Sequence, residues 1–60
     1  MYDIVRHKVL ALESYSCDEA IEEMELLDHD FFVYKDIDRE NDVCIVYRRK
    51  NNTYGIIQCR

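Results

Sequence analysis

One segment of the sequence, Asp28-His29-Asp30, places an imidazole between two carboxylates. Such a group can ligate a metal ion or orient a general base. It supplies neither a nucleophile nor an open coordination position, so we interpret it as the end of a helix in which His29 is hydrogen-bonded locally.

A second acidic segment, Asp36-x-Asp38-x-Glu40, begins like the calcium loop of an EF-hand. The later positions of that motif do not fit, because Asn41 stands where glycine belongs and Tyr47 where a bidentate glutamate belongs. We interpret the segment as a solvated turn and predict no metal and no other cofactor.

A basic cluster, Arg48-Arg49-Lys50, has the charge needed to touch RNA phosphates. The chain as a whole is acidic, with a net charge of -5, which argues against holding nucleic acid or an anionic membrane by electrostatics. We expect the cluster to lie at a hairpin tip, exposed or paired with acidic side chains. Contact with RNA through it stays open as an alternative.

The three cysteines, Cys17, Cys44 and Cys59, are odd in number and widely spaced. They form neither a secreted disulfide framework nor a zinc-finger pattern, so we expect a reducing compartment. Cys17 paired with His29 would lack the third group that orients a catalytic base. We predict that the protein is not an enzyme, and that Cys44 and Cys59 are buried, unbonded core residues facing each other on neighbouring strands.

A chain of 60 residues makes one small domain, here residues 1–60, near the lower limit for folding alone. Hydrophobic residues make up 48% and charged residues 35%, which is typical of a globular domain. No apolar run approaches the ~18 residues that a membrane span needs. Domains of this size usually require disulfides, a metal ion or oligomerisation.

A helix from Cys17 to Leu27 is predicted by its cap and its periodicity. Ser16 with Glu19 three residues later forms a capping box. Apolar residues then recur at helical spacing, and glutamates occupy the other side. The apolar stripe consists of Cys17, Ala20, Ile21, Met24 and Leu27.

Four apolar runs predict strands. Asn51-Asn52 suits a two-residue hairpin turn because asparagine tolerates positive φ, and Ser14-Tyr15-Ser16 ends the first run. The element order is therefore β-α-β-β-β, an α+β domain with one helix packed on a mainly antiparallel sheet. The predicted strands are Ile4 to Leu12, Phe31 to about Asp36, Val43 to Arg48, and Tyr54 to Cys59.

The second and third of these strands are largely apolar on both faces. One helix can cover only one face of a sheet, and a bare apolar second face would be unusually large for a monomer. We expect a second copy of the chain to cover it, sheet against sheet. The alternative is that the strands are short and twisted, with tyrosine side chains half exposed.

The turn lengths determine which residues lie on this second face, here called the partner face. A five-residue turn after the second strand sets Phe31 opposite Tyr47, and a two-residue turn at Asn51-Asn52 sets Tyr47 opposite Ile56. The predicted dimer interface consists of Phe31, Val33, Ile45, Tyr47, Tyr54 and Ile56.

Three stretches carry a resemblance to a known family: "IVRHK" at Ile4, "EAIEEMELLDHDFFVY" at Glu19 and "VYRRKNNTYGIIQ" at Val46. Together they resemble the C-terminal domain of the long form of ribosome hibernation promoting factor, over nearly the whole chain. Asp28 before His29, and the ending Ile57-Gln58-Cys59-Arg60, resemble the cyanobacterial and plastid branch. Asn51-Asn52 replaces the Asp-Gly turn of the family pattern, which affects a loop rather than the fold.

The resemblance implies a function. Long factors of this family block the small ribosomal subunit with an N-terminal domain, and their C-terminal domain forms a homodimer that ties two idle ribosomes together. It implies that this chain contacts itself, that an N-terminal domain outside this chain contacts the small subunit, and that the location is bacterial cytoplasm or plastid stroma. The alternative function is a monomeric module that docks on the ribosome or another protein through Arg48-Arg49-Lys50.

Overall fold

One helix packs on a four-stranded sheet in the computed structural model, which describes residues 1–60. The sheet order is β1-β2-β3-β4; β1 runs parallel to β2, and the other neighbours are antiparallel. This confirms the α+β class and the order β-α-β-β-β. The elements are β1 (Ser14–Tyr15), α1 (Cys17–Leu26), β2 (Phe31–Asp36), β3 (Asp42–Arg48) and β4 (Tyr54–Gln58). The chain contains no helix whose length and apolar character would carry it across a membrane.

The helix begins where its capping box predicts. The Glu19 N–H donates to Ser16 Oγ at 3.2 Å, and the Ser16 N–H donates back to Glu19 Oε1 at 2.9 Å. Two N–H groups at the helix start that have no partner within the helix are thereby satisfied. The helix ends at Leu26, with Asp28 in the left-handed region at φ 54° and the His29 N–H donating to the Met24 carbonyl. The segment Asp28-His29-Asp30 therefore follows the end of the helix, as predicted, and the hydrogen bond at His29 is made by its backbone N–H.

The predicted first strand, Ile4 to Leu12, is wrong. Residues 1–13 form neither helix nor strand, and β1 lies at Ser14–Tyr15, where the sequence predicted a break. Only Lys35 and Asp36 of β2 are paired with it. Apolar, β-prone composition cannot make a strand unless the segment pairs with another strand, and residues 1–13 pair with none in this protomer.

The core lies between the helix and one face of the sheet. The helix contributes Ala20 and Met24, which pack against Tyr34 of β2 and against Cys44 and Val46 of β3. Only six of 60 residues are fully buried. A core this small supports the expectation that the domain buries further surface by association.

The register between β2 and β3 is as predicted. Phe31 pairs with Tyr47 and Val33 with Ile45, across the five-residue turn 37–41. Glu40 and Asn41 both adopt positive φ in this turn, at 59° and 57°.

The register between β3 and β4 differs from the prediction by one residue. Asn51 and Asn52 have the expected positive φ, at 63° and 58°. The Arg49 N–H, however, donates to the Thr53 carbonyl at 2.8 Å, so three residues rather than two span the turn. Val46 therefore pairs with Ile56, and Tyr47 pairs with Gly55. Because side chains alternate along a strand, this single step moves every side chain of β4 to the face opposite the predicted one.

The same shift separates the two cysteines. Cys44 pairs with Gln58 rather than with Cys59, so the prediction that they face each other is wrong. Cys44 is buried under the helix as predicted, but Cys59 is exposed, so the prediction that Cys59 is a core residue is wrong. All three cysteines are free thiols. Burial raises the pKa of the Cys44 thiol.

This arrangement predicts unequal thiol reactivity. Cys59 should react with a thiol reagent in the native protein at least about tenfold faster than Cys44, which must wait for unfolding and forms less thiolate. Mass spectrometry of peptides from briefly labelled protein measures both rates. Cys59→Ser is the control and should remove the fast reaction. Equal labelling of both thiols in native protein would contradict the assignment of Cys44 to the core.

Candidate protein–protein interface

The face of the sheet opposite the helix is apolar, and no element of the protomer covers it. Strand pairing places alternate residues of β2, β3 and β4 on it. We call it the outer face, and its apolar members are Phe31, Val33, Val43, Ile45, Tyr47, Gly55 and Ile57.

The outer face is exposed at its ends and half-buried in its middle. Phe31 is 58% exposed and Ile57 50% exposed, while Val43 and Ile45 are half-buried beside neighbouring strands. The one charged side chain that shares the face within the strands is Lys35. A contiguous aromatic and aliphatic surface with so little charge is more typical of association sites than of solvated sheet faces.

Tyr47 lies flat over Gly55, its cross-strand partner. A Cβ atom on residue 55 would come within 2.8 Å of the Tyr47 ring atom Cε1 and closer still to Cζ and the hydroxyl oxygen. The glycine therefore leaves the space that the ring occupies, and this keeps the centre of the outer face level. Its role is close approach, since its φ is not positive.

Gly55→Ala should disturb association without unfolding the protomer. The added methyl group displaces the far end of the Tyr47 side chain, which can rotate away, so we expect a change of about 1 kcal/mol or less in protomer stability. The displaced ring should weaken any partner that packs on this face, by about tenfold in Kd. Analytical ultracentrifugation, with circular dichroism for the fold, measures both effects. An unchanged Kd would show that Tyr47 lies outside the contact.

The predicted interface residues divide between the two faces. Phe31, Val33, Ile45 and Tyr47 share the outer face as predicted, although their role as an interface stays a prediction. Placing Tyr54 and Ile56 with them is wrong, because β4 is shifted by one residue.

Tyr54 and Ile56 both lie on the helix side of the sheet. Ile56 packs against the core, and the Tyr54 hydroxyl donates to Glu25 of the helix at 2.7 Å. This hydrogen bond is the main cause of the raised pKa of Tyr54, and partial burial of the hydroxyl is the second cause. Ile57 takes the outer position that was predicted for Ile56. Val43 also lies on the outer face. The sequence signal for this was the alternation of Val43, Ile45 and Tyr47, which places all three side chains on one face of β3.

The basic cluster does not form one continuous surface. Arg48 lies on the helix side, where its guanidinium donates to Glu25 at 2.8 Å and lies 3.9 Å from Asp30. Arg49 and Lys50 are exposed at the hairpin tip. The cluster thus divides into one paired cation and two solvent-exposed cations.

Asp36 is a buried carboxylate, and in this respect the prediction of a solvated turn is wrong. It accepts hydrogen bonds from the Tyr34 hydroxyl at 2.8 Å, the Asp38 N–H at 2.9 Å and the Arg39 guanidinium at 2.8 Å. Burial alone would raise its pKa, but these three bonds hold the pKa of Asp36 below its usual range. The effect is to fix the turn that sets the register of β2 against β3. No three His, Cys, Asp or Glu side chains lie close enough together to hold a metal ion.

Known proteins resemble this chain over most of its length. Residues 2–56 match the family described as "Sigma 54 modulation/S30EA ribosomal protein C terminus". The chain is 51% identical over 57 residues to a protein named ribosome hibernation promotion factor from Staphylococcus aureus (strain COL), and 45% identical over 56 residues to one of the same name from Lactococcus lactis subsp. cremoris (strain MG1363). Each match covers 93% of this chain and 29% or 30% of the relative, so the chain spans about three-tenths of their length. The similarity to the cyanobacterial and plastid branch stays a prediction. The resemblance in the three sequence stretches is confirmed: the chain belongs to the family of S30EA-type ribosomal protein C-terminal domains found in ribosome hibernation factors.

Proposed function

We propose that this chain is a homodimerisation module that ties two inactive ribosomes together during ribosome hibernation and thereby helps to keep translation off. The observation that carries the proposal is the uncovered apolar outer face, with Phe31 and Ile57 at its ends and Tyr47 near its middle. The name shared by the two relatives supports the setting in ribosome hibernation.

A second copy is the partner whose surface fits. Two sheets that pack face to face need inner faces of similar apolar character, about 10 Å apart. A two-fold axis would supply such a surface by setting the outer face of one protomer on the same face of another. The contact needs no additional chemistry, because no catalytic group, metal ion or cofactor takes part.

The charge distribution favours the same geometry. Each protomer carries a net charge of -5, so two copies repel each other unless the acidic side chains stay apart. The exposed acids Asp18, Glu19 and Glu22 lie on the helix, on the opposite side of the sheet from the outer face. Dimerisation through the outer face would therefore leave these three helix carboxylates directed away from the partner.

The net negative charge of this domain also suggests which domain of the longer relatives binds the ribosome. This domain carries 13 acidic against 8 basic side chains, so we propose that the small ribosomal subunit is bound by an N-terminal domain outside this chain. The site of action would then be wherever the ribosomes are, in bacterial cytoplasm or plastid stroma.

Light scattering tests the proposal directly. At micromolar concentration we expect a solution mass of twice the 7.3 kDa protomer. A monomer throughout that range would overturn the proposal and favour docking through the exposed Arg49 and Lys50 at the hairpin tip. That outcome would be checked by ribosome co-sedimentation of a variant in which both are replaced by glutamine.

A further inference from the structure

Residues 1–13, here called the N-terminal arm, carry apolar side chains that nothing covers. Ile4 and Val9 are 87% and 88% exposed, and Leu10 is 70% exposed. A solvated tail is normally polar, so this composition is that of a strand without a partner.

A groove lies between this arm and the start of β2. Its volume is about 610 Å³, large enough to take several side chains of an extended peptide. One wall is formed by arm residues around Leu10 and Ala11, and the other by the helix end and β2, including Leu27, Phe31 and Phe32. The arm thus stands away from its own sheet rather than closing on it.

The β2 side of the groove is an open strand edge. The Arg48 N–H donates to the Asp30 carbonyl, and the Lys35 N–H donates to the Glu13 carbonyl. Since hydrogen-bonding direction alternates along a strand, the backbone groups of Phe31 and Val33 point toward the groove. β1 pairs only with Lys35 and Asp36, so it does not reach them. Open edges of this kind accept an added strand.

The charges of arm and groove are complementary. The arm carries Arg6 and Lys8 between its two apolar pairs. Asp28 and Asp30 line the groove and are exposed. An extended segment laid along the edge would bring cations and carboxylates together while its apolar side chains enter the groove.

The outer face and the groove are continuous, because Phe31 and Val33 belong to both. A copy packed on the outer face therefore lies beside the groove. Thirteen extended residues reach about 43 Å, compared with 38 Å for the longest dimension of the protomer, so an arm can cross from one copy to the other. Two-fold symmetry would fill both grooves with both arms.

We infer that in the dimer each arm leaves the groove that it lines in its own protomer and lies along β2 of the other protomer, as an added strand. This inference rests on the proposed homodimer and adds to it an exchanged segment, so that each protomer completes the sheet edge of its partner.

Isotope-filtered NMR on the unmodified protein tests the exchange. Protein with carbon-13 methyl groups is mixed with unlabelled protein, and only contacts between protomers are recorded. We expect cross-peaks from the methyl groups of Leu10 and Leu12 to the ring of Phe32, which lines the groove but lies off the outer face. Cross-peaks confined to Ile45 and Ile57 would leave the dimer intact and overturn the exchange. An absence of any contact between protomers would overturn both proposals.

A charged substitution in the arm gives a second measurement. Leu10→Asp should raise the dimer Kd by about tenfold or more, because a carboxylate would enter an apolar groove beside Asp28 and Asp30. The control is Leu26→Asp, since Leu26 is 80% exposed on the helix and does not line the groove. A Leu10→Asp dimer with a Kd within about twofold of the control would overturn the exchange.

Discussion

Phe31→Ala is expected to raise the dimer Kd about 30-fold and leave the protomer folded. Phe31 begins β2, and its ring is 58% exposed, so the ring contributes little to the protomer core. In a dimer through the outer face it would be an aromatic anchor, and truncating such an anchor typically costs about 2 kcal/mol or more of binding energy. Light scattering across a dilution series should show monomer at concentrations where the wild-type chain is a dimer, with unchanged helical circular dichroism.

Two neighbouring isoleucines provide a matched control for the face assignment. Ile57 points to the outer face and is 50% exposed, whereas Ile56 packs against the core. Ile57→Ala should weaken the dimer with little effect on protomer stability. Ile56→Ala should destabilise the protomer by about 2 kcal/mol. The reverse pattern would restore the hairpin register predicted from sequence, and a Phe31→Ala dimer of wild-type affinity would remove the outer face from the interface.

Local signals predicted the parts of the fold that local interactions determine. The helix start follows from Ser16 and Glu19, which lie three residues apart and hydrogen-bond to each other's backbone. The pairing of Phe31 with Tyr47 follows from the length of one turn, 37–41. Four of the six residues predicted on the outer face depend only on that turn, and they lie there.

Two features could not be predicted from the sequence, for different physical reasons. The turn at Asn51-Asn52 has the backbone conformation that asparagine favours, yet the hydrogen bond from Arg49 to Thr53 closes it with three residues. Propensity fixes the conformation of a turn residue but not the count of residues in the turn, and one residue decides which face Ile56 and Ile57 occupy. The Ile4 to Leu12 segment has strand composition, but a strand also needs a partner edge, which composition does not specify.

Asp36 was missed because an acidic residue in a turn is ordinarily solvated, and only the tertiary structure brings the Tyr34 hydroxyl and the Arg39 guanidinium to it. The burial of a carboxylate is tolerated when both of its oxygens accept hydrogen bonds, as those of Asp36 do. The turn that determines which β2 residues lie on the outer face is therefore held by the charge of Asp36, which lies on the helix side of the sheet.

Asp36→Asn is expected to lower the free energy of unfolding by about 3 kcal/mol at neutral pH. The amide offers one acceptor oxygen where the carboxylate offers two, and it carries no charge for Arg39, so the buried Tyr34 hydroxyl or the Asp38 N–H loses its partner. In a 60-residue domain this is a large part of the total stability. Urea unfolding at fixed protomer concentration, followed by circular dichroism, measures the change. Asp38→Asn is the control, because Asp38 is exposed and contributes only its backbone N–H.

The pH dependence of stability distinguishes the contribution of the Asp36 charge from the contribution of the shape of its side chain. The folded-state pKa of Asp36 is lowered, so its contribution is fully present above the unfolded-state value of about 3.9 and is lost as the pH falls through the folded value. The wild-type chain should therefore lose stability steeply below about pH 4, and Asp36→Asn should lose less over the same interval because it has already lost that contribution. The Asp38→Asn control should follow the wild-type curve. Parallel curves for the wild-type chain and Asp36→Asn would mean that the carboxylate charge does not hold the turn, and that the outer face keeps its register through strand pairing alone.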